Sequence, residues 1–175
     1  MDMSIALILS QDGITNGAIY ALLALALVLV FAVTRVIFIQ QGEFVAYGAL
    51  TLAMMQSGVL PATVWMLVAM GALVTVLDGG LALKAGQGRR AASVAGWNLG
   101  YPLALAAVVG GLAVNELPLA VQVLLTLAIV VPMGPMMYRL MYQPIASAPV
   151  LVLLIVSVAL HIAMVGLGLL FFGAE

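Results

Sequence analysis

Cysteine is absent from the 175 residues, which excludes disulfides, thiolate metal sites and cysteine nucleophiles. Charge is nearly absent as well. Asp, Glu, Lys and Arg make up 6% of the chain, against about 25% in an ordinary soluble domain. Histidine occurs once, as His161. Five scattered cations and a net charge of −1 offer no basic stripe to follow a phosphate backbone, so nucleic acid is not an expected partner. No nucleophile–base pair, phosphate-binding glycine loop or metal-ligand spacing is present, so no enzymatic chemistry, catalytic residue, metal or cofactor is expected in the chain itself.

What is present is hydrophobic. Apolar residues make up 66% of the chain and mean hydropathy is +1.32, a composition that cannot cover a surface in water. A bilayer accepts it, because apolar side chains face lipid while each helix satisfies its own backbone. The run ALLALALVLV at 21–30 lacks the apolar–polar alternation of a barrel strand, which leaves helices. The expected fold is therefore all-α: a polytopic transmembrane helical bundle in one region, residues 1–175.

Crossing about 30 Å of hydrocarbon takes about 20 apolar residues. Such stretches occur at 14–33, 43–56, 61–77, 97–114, 118–138 and 149–172, giving about six helices. Pro61, Pro118 and Pro149 stand near the first turn of three of them, where the missing N–H costs nothing. The second stretch is short; it is tilted, extended through Val36–Phe38, or broken. With these six spans, Arg35, Lys84, Arg89, Arg90 and Arg139 all fall on one side, and Asp2, Asp12, Glu116 and Glu175 on the other. Because Lys and Arg are retained in the cytoplasm, both termini are expected outside. Residues 34–42, 78–96 and 139–148 are then inside loops, with Asp78–Ser93 the long polar connection. The start MDMSIALILSQDG carries aspartates and no Lys or Arg, the wrong charge for a signal peptide, and no cleaved leader is expected.

Two positions carry candidate function. In QQGEF at 40–44, Glu43 is an ionisable group near membrane depth, costly unless paired or wetted. It is equally compatible with an interfacial place at the second helix's positive N-terminus. A pairing with Arg35 would fix the mouth of the hairpin. Gln40 and Gln41 are positioned to bond across helices. His161, in the middle of the last stretch, could relay protons, line a polar path, or bond a neighbouring helix; with no second histidine or nearby carboxylate it predicts no metal site. Gly13 with Gly17, Gly96 with Gly100, and Gly166 with Gly168 have the spacing that lets helices pack closely. Thr15, Asn16, Gln122, Thr126 and Ser157 are expected interhelical hydrogen-bonders.

NGAIYALLALALVLVFAVTRVIFIQQGEFVAYGAL at 16–50 resembles the opening of permease subunits of branched-chain amino acid ABC importers, with their Ala-His-Gly-Glu turn. YRLMYQPIASAPVLVLLIVSVALHIAMVGLGLLFFGAE at 138–175 is similar to the family's Tyr-Arg-Pro loop and following helix. The chain departs from the pattern in having Gln40-Gln41 before Gly42-Glu43, Gln143 between Tyr142 and Pro144, and His161 where a small polar residue is usual. The GQGRR segment looks like an insertion. Family permeases are nearly twice as long, so the second half of a full permease would be absent here.

The resemblance implies a permease component of an ATP-driven importer for branched-chain or related amino acids, in a bacterial inner membrane. Its implied partners are a second permease subunit, cytoplasmic ATP-binding subunits that hydrolyse the ATP, and a periplasmic solute-binding protein. Gln40, Gln41, Gly42, Glu43, Tyr47, Gly48 and His161 are the path or gate candidates. The alternative is a helical scaffold that assembles partners and transports nothing.

Overall fold

A computed structural model describes residues 3–173. Asp2 and Glu175, expected outside, lie beyond the described residues. Six helices follow in order: α1 (Met3–Thr34), α2 (Gln41–Gln56), α3 (Ala62–Lys84), α4 (Gly88–Gly111), α5 (Leu119–Ile145) and α6 (Val150–Phe172). No strand occurs among the described residues. All but α2 are long and apolar enough to cross a membrane. The all-α membrane bundle follows directly, and exposure agrees with it: Leu22, Val28, Trp97 and Leu170 are each at least 63% exposed, which only lipid or partner helices could cover.

The helix ends differ from the sequence expectation in a consistent direction. Residues 78–96 are not a polar loop: α3 runs on to Lys84, α4 begins at Gly88, and three residues turn between them. Likewise α5 continues to Ile145, leaving a short turn before Pro149. Small residues such as Gly79, Gly80 and Ala82 read as linker in composition, yet a preceding helix propagates through them at a cost of under about 1 kcal/mol each. At the other end, α1 starts at Met3, so Asp12 lies on an exposed helical face instead of before the helix. Pro61, Pro118 and Pro149 do stand as the last extended residues before α3, α5 and α6.

The helices alternate in direction, and the clefts between them show which ends meet. Thr34, Tyr138, Arg139 and Gln143 border one cleft, while Asp78, Ala85, Arg90 and Arg139 border another. Arg35, Lys84, Arg89, Arg90 and Arg139 therefore gather at one end, the cationic end. The opposite end is closed by the turn at 114–117, where Gln122 Nε2 donates to the carbonyls of Val114 and Leu117, each at 3.0 Å.

The core lies where α2, α3 and α5 meet, with α4 and α6 completing it; Met55, Val64, Leu67, Ile129, Met133 and Met164 are fully buried there. Two polar contacts fix the packing. Thr51 and Thr63 share a hydrogen bond of 2.7 Å between α2 and α3. Pro132 inside α5 has no N–H to offer the carbonyl of Ala128 four residues back, and the Tyr101 hydroxyl of α4 donates to that carbonyl at 2.7 Å instead. Tyr101→Phe leaves the carbonyl without this partner and is expected to destabilise the bundle by about 1 kcal/mol. Thermal unfolding in detergent checks it, and an unchanged midpoint would mean the bond contributes nothing.

α1 stands apart, with no buried residue along its 32 residues. After Thr34 the chain does not leave the membrane into an inside loop. Thr34 Oγ1 donates to the Val30 carbonyl at 2.7 Å and accepts the Val36 N–H at 3.2 Å. Arg35 turns the chain with φ +58°, a left-handed conformation costing an L residue about 1–2 kcal/mol. Residues 36–40 then run back as a non-helical, largely buried segment, with Val36 3% and Gln40 0% exposed. Val36 packs with Tyr142 and Leu153, and the Phe38 ring stacks on Phe44 with centroids 5.7 Å apart. Irregular backbone at membrane depth persists only where protein buries it, and these apolar side chains are what hold it there.

Two contacts give the depth at which α2 begins. Gln41 Nε2 donates to the Leu23 carbonyl at 2.8 Å, eleven residues before the end of α1 and so about 16 Å from it along the axis. Glu43 meets His161, eleven residues into α6 and again about 16 Å from that helix's cationic end. Of the three sequence options for the second stretch, the chain takes the broken one: α2 starts near the middle of the bundle and rises parallel to α6.

Candidate functional site

The break before α2 gathers a group of polar side chains in the bundle interior. Ser157 Oγ, Tyr142 Oη and Gln40 Nε2 form a buried chain with both links at 2.6 Å. Gln40 Nε2 also approaches Met137 Sδ at 3.7 Å. One turn further into the membrane, Glu43 Oε1 lies 2.8 Å from His161 Nδ1, with 16% and 39% of the two side chains exposed respectively. The approach is close but lacks in-line hydrogen-bond geometry, and Glu43 Oε2 has no partner. A further turn up, the Tyr47 hydroxyl donates to the Met164 carbonyl at 2.5 Å.

Physical causes place these groups. Gln40 stands at the N-cap of α2, and Glu43 and Tyr47 follow three and seven residues on, so the three lie along one face. Ser157, His161 and Met164 do the same on α6. The two faces run parallel, so their levels match in order. The Tyr47 ring reaches the α6 backbone because residue 168 is glycine: a Cβ there would lie 3.2 Å from Tyr47 Cε1. Gly168→Ala is expected to displace the ring and weaken its bond to Met164 at a cost of about 1 kcal/mol, read as a lowered unfolding midpoint. The same midpoint for Tyr47→Phe with and without Gly168→Ala would show that the bond is the part lost.

Of the candidates named from sequence, Gln40, Glu43, Tyr47 and His161 come together here. Gln41 faces the other way, to α1. Gly42 meets open space, and Gly48 borders an apolar groove toward α5 with Val123 and Thr126. Glu43 is at the N-terminus of α2 as expected, but that N-terminus is at mid-depth and not at the inner interface. Its partner is His161, not Arg35, which is exposed and turned away at the end of α1. A carboxylate therefore does stand beside His161, though among the described residues no group of three His, Asp or Glu forms that could hold a metal.

The glycine spacings place differently. At Gly13, Gly17, Gly96, Gly100 and Gly166 a Cβ would meet nothing of this chain within 4 Å; Gly168 alone of the six lies against a neighbouring helix. The close helix approach is at Gly71, where a Cβ would collide with the Asn98 carbonyl oxygen and touch Pro102 Cγ at 3.2 Å. Among the expected hydrogen-bonders, Ser157 and Gln122 bond beyond their own helices. Thr126 donates to the Gln122 carbonyl of its own helix and approaches Met55 Sδ, and Thr15 bonds only within α1. Tyr142 is the site residue that sequence reading passed over. Its signal was the YQP sequence at 142–144, which marks a turn but not the tyrosine's inward direction.

Such an arrangement can hold polar groups at mid-depth: an acid and an imidazole in close approach, an unpartnered carboxylate oxygen, and a helix that begins there. Neither a family model, nor a curated protein, nor a solved structure matches the chain.

Proposed function

We propose that the chain is a permease-type transport subunit that lines a path for a small polar solute beside the break in α2. The observation that carries this reading is the contact of Glu43 with His161 at mid-depth, at the start of a helix interrupted inside the membrane. An ionisable pair there is costly to keep and marks solute or ion pathways in membrane proteins. Broken helices are how transporters present polar groups at the midplane.

The finer reading is a component of an ATP-driven importer for branched-chain or related amino acids in a bacterial inner membrane. It rests on the resemblance at 16–50 and 138–175. Those two stretches supply the α1–α2 break and the α5–α6 pair, the elements that meet at Glu43 and His161. Under this reading a second permease subunit supplies the remaining helices, cytoplasmic subunits hydrolyse ATP, and an external solute-binding protein delivers the cargo.

The scaffold reading is favoured by one observation, the unburied surface of α1, which suits contact with partner helices. Purification of tagged protein from native membranes separates the two. An importer component is expected to bring down a second permease and an ATP-hydrolysing subunit, and the complex to take up solute. Partners without an ATPase and without uptake would sink the transport reading in favour of the scaffold.

A further inference from the structure

A second polar feature lies at the cationic end, away from Glu43. The ends of α3, α4 and α5 leave a cleft of about 250 Å³. Its polar wall is made by Asp78, Gln87, Arg90, Arg139 and Gln143, and its apolar wall includes Leu81 and Val94. Arg139 Nε rests against the Asp78 carboxylate. Arg90 Nη1 donates to Gln87 Oε1 at 3.3 Å and is otherwise exposed. Two arginines against one aspartate leave the cleft with a single excess positive charge. Asp78 and Arg139 each sit in a π-helical turn, at Thr75–Gly79 and Tyr138–Tyr142, a local widening that recurs at functional positions.

We propose that this cleft holds the phosphate of an anionic phospholipid from the leaflet at the cationic end. Guanidinium groups match phosphate oxygens in a planar, two-pronged way that a lysine cannot. Arg139 lies six residues before the end of α5, about 9 Å along its axis, so the cleft sits where headgroups give way to acyl chains. Its mixed lining fits that boundary: the arginines take the phosphate, while Leu81 and Val94 border the start of the chains. The surface of a leaflet rich in anionic lipid also draws such cations toward it. Asp78 tempers the site by occupying Arg139, so the lipid binds through Arg90 with Arg139 shared between carboxylate and phosphate.

The test uses the full chain extracted from vesicles of equal phosphatidylglycerol and phosphatidylcholine, with retained lipid counted by native mass spectrometry. Wild type is expected to keep one phosphatidylglycerol in preference to phosphatidylcholine. Arg90→Gln is expected to lower that retention about fivefold, the usual effect of one basic group at a membrane surface, and Asp78→Asn to raise it. Arg89→Gln makes the same change in net charge outside the cleft and is expected to leave retention unaltered. An equal fall with Arg89→Gln would overturn the site, since overall charge would then suffice. Displacement of the lipid by inorganic phosphate at comparable concentration would also overturn it, in favour of a free-anion site. Equal retention of both lipids would overturn it and leave the cleft to an acidic segment of a protein partner. Arg90 is exposed at a helix start, so its replacement does not threaten folding.

Discussion

Gly71→Ala is expected to be the most damaging single-methyl change in the bundle, lowering stability by about 3 kcal/mol, the upper end of the usual overpacking cost. The obstacle at Gly71 is the backbone carbonyl of Asn98, and backbone cannot rotate away as a flexible side chain would. Asn98 belongs to the π-helical turn Gly96–Gly100 of α4, so its carbonyl moves only with the helix backbone. Separation of α3 from α4 is the only relief, and it would open the core at Val74 and Leu105. Gly71→Val adds further bulk and is expected to abolish assembly. Gly96→Ala and Gly100→Ala, with open space around them, are expected to stay within about 0.5 kcal/mol. Unfolding midpoints in detergent for the three alanine variants decide the matter. A Gly71→Ala variant as stable as the other two would mean that α3 and α4 do not approach as described.

The second large effect concerns the pair at the helix break. In a complete transport complex, Glu43→Gln is expected to reduce uptake on the order of ten- to a hundredfold. That is the rate equivalent of about 1.5–3 kcal/mol, the low end of the coupling between close ionisable groups held away from water. Membrane insertion is expected to be unaffected, because the substitution removes a charge from the interior. His161→Gln is expected to cause a loss of the same order. Since the two side chains touch, the double variant is expected to lose little more than either single one. Losses that multiply would mean the residues act separately, and unchanged uptake in Glu43→Gln would remove the carboxylate from the transport path.

Much of this was legible in the sequence because the bilayer imposes strong rules. Length and hydropathy located five of the six helices, and the one-sided distribution of Arg and Lys located the cationic end. Glu43 and His161 each stood out because ionisable groups are rare in apolar stretches. Their meeting did not, since it depends on where α2 begins. VIFIQQ at 36–41 reads as a continuation of apolar sequence, and nothing in its period says that Val36 and Phe38 will bury against Tyr142 and Leu153 and pull the chain back inward. Polarity at Asp78–Ser93 does not mark the end of a helix, because helical hydrogen bonding runs through those residues on both sides of a short turn at 85–87, where Gly86 takes φ +72°. The glycine spacings misplaced the close packing for a related reason. Spacing marks which glycines share a face; only tertiary structure says whether another backbone lies against that face, as at Gly71.

The start of α2 at mid-depth is what the proposed function rests on, and the lack of cysteine makes it directly measurable. A chain carrying Glu43→Cys and His161→Cys, treated in native membranes with a short bifunctional thiol reagent, is expected to cross-link within the chain. The pair Glu43→Cys and Val150→Cys, joining the same position to the cationic end of α6, is expected not to. Cross-linking of 43 to 150 but not to 161 would place Glu43 at the membrane surface and contradict a helix that begins inside the bundle.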